Sequence, residues 1–424
     1  AGPDLGLDHE ACYRAVSSRD PRFDGKIFTG VKTTGIYCRP ICPARTPRRE
    51  NCRFFANAAA AEREGFRPCL RCRPELAPGH APMDALGRVA RLAVARIEAG
   101  ALNEASFDVL AADLGLSGRQ LRRAIEREYG VTPIELAQTQ RLLLAKRLLT
   151  ETSIRIADVA FASGFSSLRR FNHLFRERYG LNPGALRRGV TEHAPGDSLR
   201  LKLAYRPPLD WDWLSHYLVS RGAAGVEAMD GRRYLRTVHL GERSGWIAVE
   251  PVEGEPALRL EAATSLLPVL TPLLARLRHM FDLDANPQAV LEHLRRDGRL
   301  GKSFARRPGL RVPGAFDGFE LALRAVLGQQ VSVKGATTIF GRFAQAYGEP
   351  VQTPFAALNL SGPSPQRIAA ADEDAIAGLG LPGARARTVL ALARAVVSGS
   401  LRLEAGADPG ATAETMKALP GIGD

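Results

Sequence analysis

The sequence has no long apolar run and only six cysteines. No stretch approaches the ~20 consecutive apolar residues of a membrane span. The start, "AGPDLGLDHEACYRAV", has no basic segment followed by an apolar one, which argues against a secretory signal. We therefore expect a cytoplasmic protein without a membrane partner, whose cysteines are reduced rather than paired in disulfides. The first residue is Ala and the chain stops at "LPGIGD", so we expect a piece of a longer protein.

Acidic residues are also in deficit. The 45 Asp and Glu stand against 58 Lys and Arg, which gives a formal net charge of +13 and a pI near 9.9. Such an excess favours polyanionic partners, with nucleic acid the first candidate, although it can also serve only to keep a protein in solution. The length of 424 residues exceeds what one core accommodates and indicates two to four domains.

Four of the cysteines form two close pairs. One pair has three residues between its members, the other has two, and 26 residues separate the pairs: Cys38, Cys42, Cys69 and Cys72. Close thiol pairs divided by a spacer are typical of a tetrahedral Zn²⁺ site with four sulfur ligands. Such a zinc often only stabilises a small domain, and the spacing leaves this alternative open. Cys12 and Cys52 lie outside the pairs and are expected to be ordinary buried thiols.

Arginines surround the two cysteine pairs. Between Ile36 and Arg73 there are nine arginines but only three acids. A structural zinc does not require so many cations, whereas contact with a phosphate backbone explains them. The sequence therefore predicts a zinc site that faces DNA.

This region resembles a known family through "TTGIYCRPICPAR" and "ENCRFFANAAAAEREGFRPCLRCRPE". Over about the first 78 residues it is similar to the methyl-accepting N-terminal domain of the Ada response protein. The resemblance implies an irreversible transfer of methyl from DNA methylphosphotriesters to zinc-bound Cys38, with the other three paired cysteines as further ligands. It also implies DNA contacts by Thr34, Arg45 and Arg67. Because methylation of one thiolate removes a negative charge, we expect the affinity for DNA to rise after repair.

A helix-turn-helix pattern then occurs twice. Residues 84–98 read as one amphipathic helix, and "SFDVLAADLGLSGRQLRRAIEREYG" follows, with Gly115 at a helix end and Ser117 at a helix start. Fifty residues later, "IADVAFASGFSSLRRFNHLFRERYG" repeats the design. A single copy is also consistent with a plain helical hairpin. Two copies at a fixed offset, each with arginines early in its second helix, favour paired DNA readers.

Residues 84–188 resemble an AraC-type DNA-binding domain, and the second copy is the more specific match. The resemblance implies transcriptional activation, with RNA polymerase as a partner. The candidate groove-facing residues lie at the start of each second helix: Ser117, Arg119, Gln120, Arg122, Arg123, Ser166, Ser167, Arg169 and Arg170. Arginines here can pair with guanine or contact phosphate.

The C-terminal half begins after a linker at residues 189–199. Strands of an antiparallel sheet packed on helices are predicted by "RRYLRTVHL", "SGWIAVEPV" and "PALRLEAA". From Val312 onward the pattern is helical, and it closes with "LPGIG", a tight turn whose glycines allow backbone N–H groups to approach a DNA phosphate. The residues alone thus predict an α+β domain followed by a helical one.

Residues 200–424 resemble the AlkA type of 3-methyladenine DNA glycosylase through "YRPPLDWDW", "LRAVLGQQVS" and "MKALPGIG". The resemblance implies extrusion of an alkylated base and hydrolysis of its N-glycosidic bond. It implies DNA contacts in the closing turn and where the family inserts a wedge: Gly421, Gly423, Gln329 and Gln330. The family's catalytic aspartate is expected beyond residue 424, so we expect no base excision by this chain alone.

These patterns predict a multidomain, mainly α protein with α+β parts. The predicted domains are a zinc domain, a double helix-turn-helix domain, a sheet domain and an incomplete helix-hairpin-helix domain, at residues 1–78, 84–188, 200–311 and 312–424. The predicted function is a bifunctional, nucleoid-associated response to DNA alkylation that combines methyl acceptor, transcriptional activator and glycosylase. The Pro-Cys-His-Arg site of an O6-alkylguanine methyltransferase is absent. A regulator with an inactive glycosylase module, or a zinc-stabilised regulator without acceptor activity, remains open.

Overall fold

The computed structural model describes residues 8–77, 88–187, 196–295, 297–404, 407 and 409–423. The chain divides into two compact units, the first within residues 1–210, 252–259 and 267–312, and the second within residues 211–251, 260–266 and 313–424. The four predicted domain boundaries stay predictions. The predicted helix start at 84–87, most of the 189–199 linker and Asp424 lie outside the described residues.

The first unit starts with a small sheet and two short helices. These elements are α1 (His9–Ser17), β1 (Phe28–Val31), β2 (Ile36–Cys38), β3 (Cys52–Phe55), α2 (Ala58–Arg63) and β4 (Arg67–Pro68). The strand order is β3-β1-β2-β4, and only the β2–β4 pair is parallel. Gly30 in β1 is required because a Cβ there would lie 2.8 Å from the Phe55 ring and 2.9 Å from the Phe66 ring. The sheet therefore packs on an aromatic core, with Cys38 at the end of β2.

Helices form the next part of the first unit. They are α3 (Arg88–Glu98), α4 (Ala101–Glu104), α5 (Phe107–Asp113), α6 (Gly118–Tyr129), α7 (Pro133–Glu151), α8 (Ile156–Ala162), α9 (Leu168–Tyr179) and α10 (Pro183–Leu186). The pairs α5–α6 and α8–α9 are the two predicted helix-turn-helix copies. Their turns pass through Gly115 and Gly164 at φ of +70° and +87°, a region that favours glycine.

Equivalent side chains anchor the second helix of each copy. Leu121 and Ile125 in α6, and Phe171 and Phe175 in α9, are all 0% exposed. Both helices end at a left-handed glycine, Gly130 or Gly180. The internal duplication predicted from the sequence is therefore a structural one.

The C-terminal half supplies elements to both units. They are β5 (Ser198–Ala204), α11 (Trp211–Val219), β6 (Glu227–Asp230), β7 (Arg233–Leu240), β8 (Arg243–Pro251), β9 (Ala257–Ala263), α12 (Leu270–Met280), α13 (Pro287–Leu294), α14 (Leu300–Arg306), α15 (Gly318–Leu327), α16 (Val333–Tyr347), α17 (Pro365–Ala369), α18 (Glu373–Ala377), α19 (Gly383–Val397) and α20 (Pro409–Lys417). The three strands predicted from sequence are β7, β8 and β9.

The second unit combines an antiparallel sheet with a helical core. Strand β7 pairs antiparallel with β6 and β8, and Tyr234 lies opposite Met229 on one side and Val249 on the other. Helices α15, α16 and α19 bury an apolar core that includes Leu323, Phe340 and Phe343, each 0% exposed. The predicted fold class, a multidomain protein with a cysteine cluster, helix-turn-helix pairs, an antiparallel sheet and a helical domain, is confirmed. Among the helices that the structure describes, none is long and apolar enough to cross a membrane.

Candidate metal centre and nucleic-acid interfaces

The four paired cysteines meet in space. Their sulfur atoms all lie within 4.8 Å of one another. The parallel pairing of β2 with β4, in which Ile36 lies opposite Arg67, brings the Cys38–Cys42 loop next to the Cys69–Cys72 loop. A tetrahedral zinc with Zn–S bonds of about 2.3 Å requires sulfurs about 3.8 Å apart, so the donor set and its compactness suit this ion.

The remaining cysteines lie apart from this cluster. Cys12 and Cys52 are buried and free, and burial raises the pKa of both thiols. No disulfide joins any of the six cysteines, all of which belong to the described part of the chain. Cys12 and Cys52 are therefore the ordinary buried thiols that the sequence predicted.

The four clustered sulfurs are not equivalent. Cys38 is partly exposed, whereas the other three residues are at most 9% exposed. The Arg39 N–H donates to Cys72 Sγ at 3.3 Å. Cys38 is therefore the most accessible member of the cluster, which is what a reactive cysteine requires.

Crowding also couples the protonation of the four thiols. Hydrogen bonding with Cys42 and the other two sulfurs raises the pKa of Cys38, while the bond from Cys38 lowers the pKa of Cys42 to about 7. Four adjacent thiolates repel one another, and a divalent cation among them would offset that repulsion. The cluster has the chemistry of a metal centre rather than of four separate thiols.

The predicted DNA contacts near the cluster all lie at the surface. Thr34 is exposed in the β1–β2 turn, Arg45 in the loop after Cys42, and Arg67 on β4. The strand pairing places the Arg67 backbone opposite Ile36 of β2, and Ile36 precedes Cys38 by two residues. The exposed positions leave these side chains open to solvent.

Two of the nine nearby arginines have a different role, which the sequence did not reveal. Arg39 is 8% exposed, and its guanidinium forms an ion pair with Asp24. Arg73 donates to Thr150 at 2.6 Å and to Glu151 at 3.1 Å, both on α7. Only the three-dimensional structure separates these inward arginines from the exposed ones.

A buried carboxyl that contacts the residue before Cys38 was also missed. The Tyr37 hydroxyl donates to Glu62 Oε1 at 2.9 Å, and the Thr139 hydroxyl of α7 donates to Glu62 Oε2 at 3.2 Å. Glu62 is 4% exposed, and burial raises its pKa to about 7. The part of the chain that holds the cysteine cluster thus shares a polar contact with α7 inside the first unit.

The helix-turn-helix candidates divide into helix-capping side chains and other exposed side chains. Ser117 and Gln120 form a reciprocal capping box at the start of α6, and Ser167 caps α9 by accepting from the Arg170 N–H. The other candidates are exposed: Arg119, Arg122, Arg123, Ser166, Arg169 and Arg170. The caps fix the start of each second helix, and the exposed arginines lie in its first two turns.

The second copy presents more polar residues than the sequence indicated. An open groove of about 500 Å³ on α9 is lined by Leu168, Arg169, Asn172, His173 and Arg176. Asn172, His173 and Arg176 lie three, four and seven residues after Arg169, hence on the same helix face. Helical spacing counted forward from Arg169 would have found them.

In the second unit, the candidate DNA contacts lie on two turns. Gln329 and Gln330 are exposed after α15, and Gln330 has a φ of +58°, uncommon for a residue other than glycine. Gly421, in the turn after α20, has a φ of +79°, and a Cβ there would lie 2.3 Å from Thr388 Oγ1. A Cβ at Gly423 would meet nothing within 4 Å.

Comparison with known proteins places these sites in one family. Four family profiles match: "Metal binding domain of Ada" at 11–75, "Helix-turn-helix domain" at 110–189, "AlkA N-terminal domain" at 200–317, and "HhH-GPD superfamily base excision DNA repair protein" at 323–422. The "Probable bifunctional transcriptional activator/DNA repair enzyme AlkA" of Mycobacterium tuberculosis is 38% identical over 421 residues, 98% of this chain and 84% of that protein. The chain belongs to this AlkA family.

Two further relatives each match part of this AlkA-family chain. "DNA-3-methyladenine glycosylase 2" of Escherichia coli is 38% identical over 221 residues, 52% of this chain and 76% of that protein. "Bifunctional transcriptional activator/DNA repair enzyme AdaA" of Bacillus subtilis is 30% identical over 177 residues, 41% of this chain and 81% of that protein. The Ada-type metal-binding match and the cysteine cluster support zinc as the cofactor of this AlkA-family protein. The helix-turn-helix and HhH-GPD matches support DNA as its partner.

Proposed function

We propose that this protein answers DNA alkylation with three activities. Cys38 accepts methyl from DNA methylphosphotriesters, the helix-turn-helix pair activates transcription together with RNA polymerase, and the glycosylase region excises alkylated bases such as 3-methyladenine. The observation that carries the proposal is the cysteine cluster, in which Cys38 is the accessible member and the other three cysteines are buried.

The methyl transfer is a single displacement. The four cysteines would hold zinc, which keeps their sulfurs ionised at neutral pH. The Cys38 sulfur attacks the methyl carbon and forms an S–C bond. The C–O bond breaks, its electron pair stays on the phosphate oxygen, and the triester becomes an ordinary phosphodiester. Thr34, Arg45 and Arg67 position the DNA backbone, because cationic and hydroxyl side chains are the usual phosphate contacts.

The same reaction acts as a switch for DNA binding. Four thiolates around a divalent cation carry a net charge of about −2, which repels phosphate, and methylation of Cys38 reduces it to about −1. The methylated protein then binds its promoter more tightly through the exposed arginines of α6 and α9. Repair of one lesion thereby activates transcription.

Base excision is proposed for the glycosylase region. The HhH-GPD match and the relative named as a 3-methyladenine glycosylase support it. Gly421 and Gly423 would approach a phosphate, and Gln329 and Gln330 would fill the space left by the extruded base. The catalytic aspartate is expected beyond residue 424, so excision is proposed for a chain that includes it.

Mass spectrometry tests the methyl-acceptor step. Zinc-loaded protein is incubated with a duplex carrying one methylphosphotriester, and with the same duplex unmodified as a control. We expect one added CH₂ unit, mapped to the Cys38 peptide, only with the methylated duplex. Zinc-loaded protein that stays unmodified beside this duplex would refute the proposal.

A further inference from the structure

Arg39 follows the proposed acceptor cysteine but points into the protein. Its Nε donates to Asp24 Oδ1 at 2.8 Å, and Nη2 donates to the other Asp24 oxygen. Nη1 donates to the Cys72 carbonyl at 3.2 Å, and the Arg39 backbone N–H donates to the Cys72 sulfur at 3.3 Å. Arg39 therefore ties the Cys38–Cys42 loop to Cys72 through both its backbone and its side chain.

Asp24, the partner of Arg39, is itself held by a distant residue. Asp24 is 4% exposed and Arg206 is 2% exposed. Arg206 Nε donates to the Asp24 carbonyl oxygen at 3.1 Å, and its Nη1 donates to the Asp284 carbonyl oxygen at 2.6 Å. Arg206 lies two residues after β5, within the segment that matches the AlkA N-terminal domain. One buried guanidinium thus bridges the acceptor region and the C-terminal half inside the first unit.

The position of Arg206 is fixed by its surroundings. Arg311, 4% exposed, donates to the carbonyl oxygens of Arg206 and Pro208. The preceding strand β5 is attached to α7, because the Lys202 N–H donates to Glu151 at 3.0 Å and Arg147 donates to the Lys202 carbonyl. The guanidinium that reaches Asp24 therefore starts from an anchored backbone.

We propose that Arg206 is a positioning residue of the methyl-acceptor centre. Through Asp24 and Arg39 it holds the Cys38 loop against Cys72, so a residue of the glycosylase-type half completes the centre. Buried hydrogen bonds from a guanidinium are strong and directional, and a displacement of about 1 Å in a reacting group can slow a reaction about a hundredfold. The expected effect on methyl transfer rests on the proposed acceptor function, whereas the expected effect on zinc retention does not.

The test uses the full chain and three variants. Arg206→Ala removes the bridge, and Arg206→Lys keeps the charge but cannot donate to two carbonyls in the planar arrangement of a guanidinium. Arg307→Ala is the matched control, because Arg307 is exposed and lies in the same unit. Two quantities are measured well below the melting temperature: the rate of zinc release to a chromogenic chelator, and the single-turnover rate of methyl uptake.

We expect Arg206→Ala to release zinc severalfold faster and to take up methyl about tenfold more slowly, with Arg206→Lys in between and Arg307→Ala unchanged. Wild-type rates in both Arg206 variants would overturn the inference. If Arg206→Ala fails to fold, Arg206→Lys decides by the same readouts. If the wild type takes up no methyl, the proposed function fails, and zinc release still tests the role of Arg206.

A double-mutant cycle separates positioning from general destabilisation. Arg39→Lys weakens the two-point ion pair between Arg39 and the Asp24 carboxylate. This substitution is combined with Arg206→Lys. If both residues act through Asp24, the double variant releases zinc no faster than the more affected single variant. Independent, multiplying effects on the zinc-release rate would show that Arg206 supports only the general fold, and would overturn the inference.

Discussion

The cysteine cluster and the turn at residues 419–423 are both proposed to meet DNA phosphates, yet they are built in opposite ways. The cluster is made of side chains, four sulfurs within 4.8 Å of one another, three of them buried. The turn is made of backbone, with Gly421 and Gly423 exposed and without side chains. The cluster requires particular side-chain atoms. The turn requires the absence of a Cβ, because a Cβ would keep a phosphate away from the backbone N–H groups. Substitutions should therefore act on the two in different ways.

The largest effect is expected at the cluster. Cys38→Ala removes the nucleophile, so methyl uptake from a methylphosphotriester duplex should be abolished. Cys52→Ala is the control, because Cys52 is also a cysteine of this region but lies outside the cluster. Mass spectrometry of both variants measures the effect. Uptake by Cys38→Ala at the wild-type rate would assign the acceptor to another residue and weaken the contrast between the two sites.

Much of the cysteine cluster and of the helix-turn-helix region could be predicted from the sequence. The spacing of Cys38, Cys42, Cys69 and Cys72 indicates a metal site, because short-range spacing constrains where sulfur ligands can meet. The helix-turn-helix copies follow from periodicity and from Gly115 and Gly164 at their turns. Both signals lie within short stretches of the chain, so a single sequence is enough to detect them.

The supports of the cluster could not be predicted in the same way. Arg39 and Asp24 are 15 residues apart, and Arg206 and Asp24 are 182 apart. A count of arginines treats Arg39 and Arg73 like the exposed Arg45 and does not reveal which of them form internal ion pairs. Such pairs depend on tertiary packing, which composition and spacing do not encode locally.

The second prediction uses Glu62, a buried carboxyl in the same part of the chain as the cluster, whereas both glycines of the turn are exposed. Burial raises the pKa of Glu62 from 4.5 to about 7, so this group stabilises the fold fully below its unfolded pKa and loses that contribution as the pH rises through 7. Glu62→Gln removes the titration while keeping an acceptor for Tyr37. At pH 8 the variant should gain about 3 kcal/mol over wild type, and at pH 5 only about 1 kcal/mol.

Thermal midpoints of wild type and Glu62→Gln at pH 5 and pH 8 measure this effect. Zinc loss at low pH affects both proteins and cancels in their difference. An equal difference in midpoint at the two pH values would show that Glu62 does not titrate in this range.

The third prediction addresses the fold of the turn. Gly421→Ala forces a left-handed conformation on alanine and places Cβ 2.3 Å from the Thr388 hydroxyl oxygen. Thr388 is 2% exposed and its hydroxyl donates to the Ala384 carbonyl, so it has little room to move. We expect a loss of about 2 kcal/mol in the stability of the second unit. Calorimetric unfolding measures it, and an unchanged transition would mean that the turn adopts another conformation.

The smallest effect is expected at Gly423, and it isolates the backbone mechanism. A Cβ there meets no protein atom within 4 Å, so Gly423→Ala should fold like wild type. If a phosphate approaches this backbone, the added methyl group should weaken duplex binding about threefold, or about 0.7 kcal/mol. Affinity is measured by anisotropy titration with a duplex lacking the promoter. Both proteins also carry Arg169→Ala and Arg170→Ala, so that DNA binding by the second helix-turn-helix copy does not mask the effect. Unchanged affinity would remove Gly423 from the DNA interface, whereas weaker binding with normal methyl uptake at Cys38 would show that the two sites act through separate chemistry.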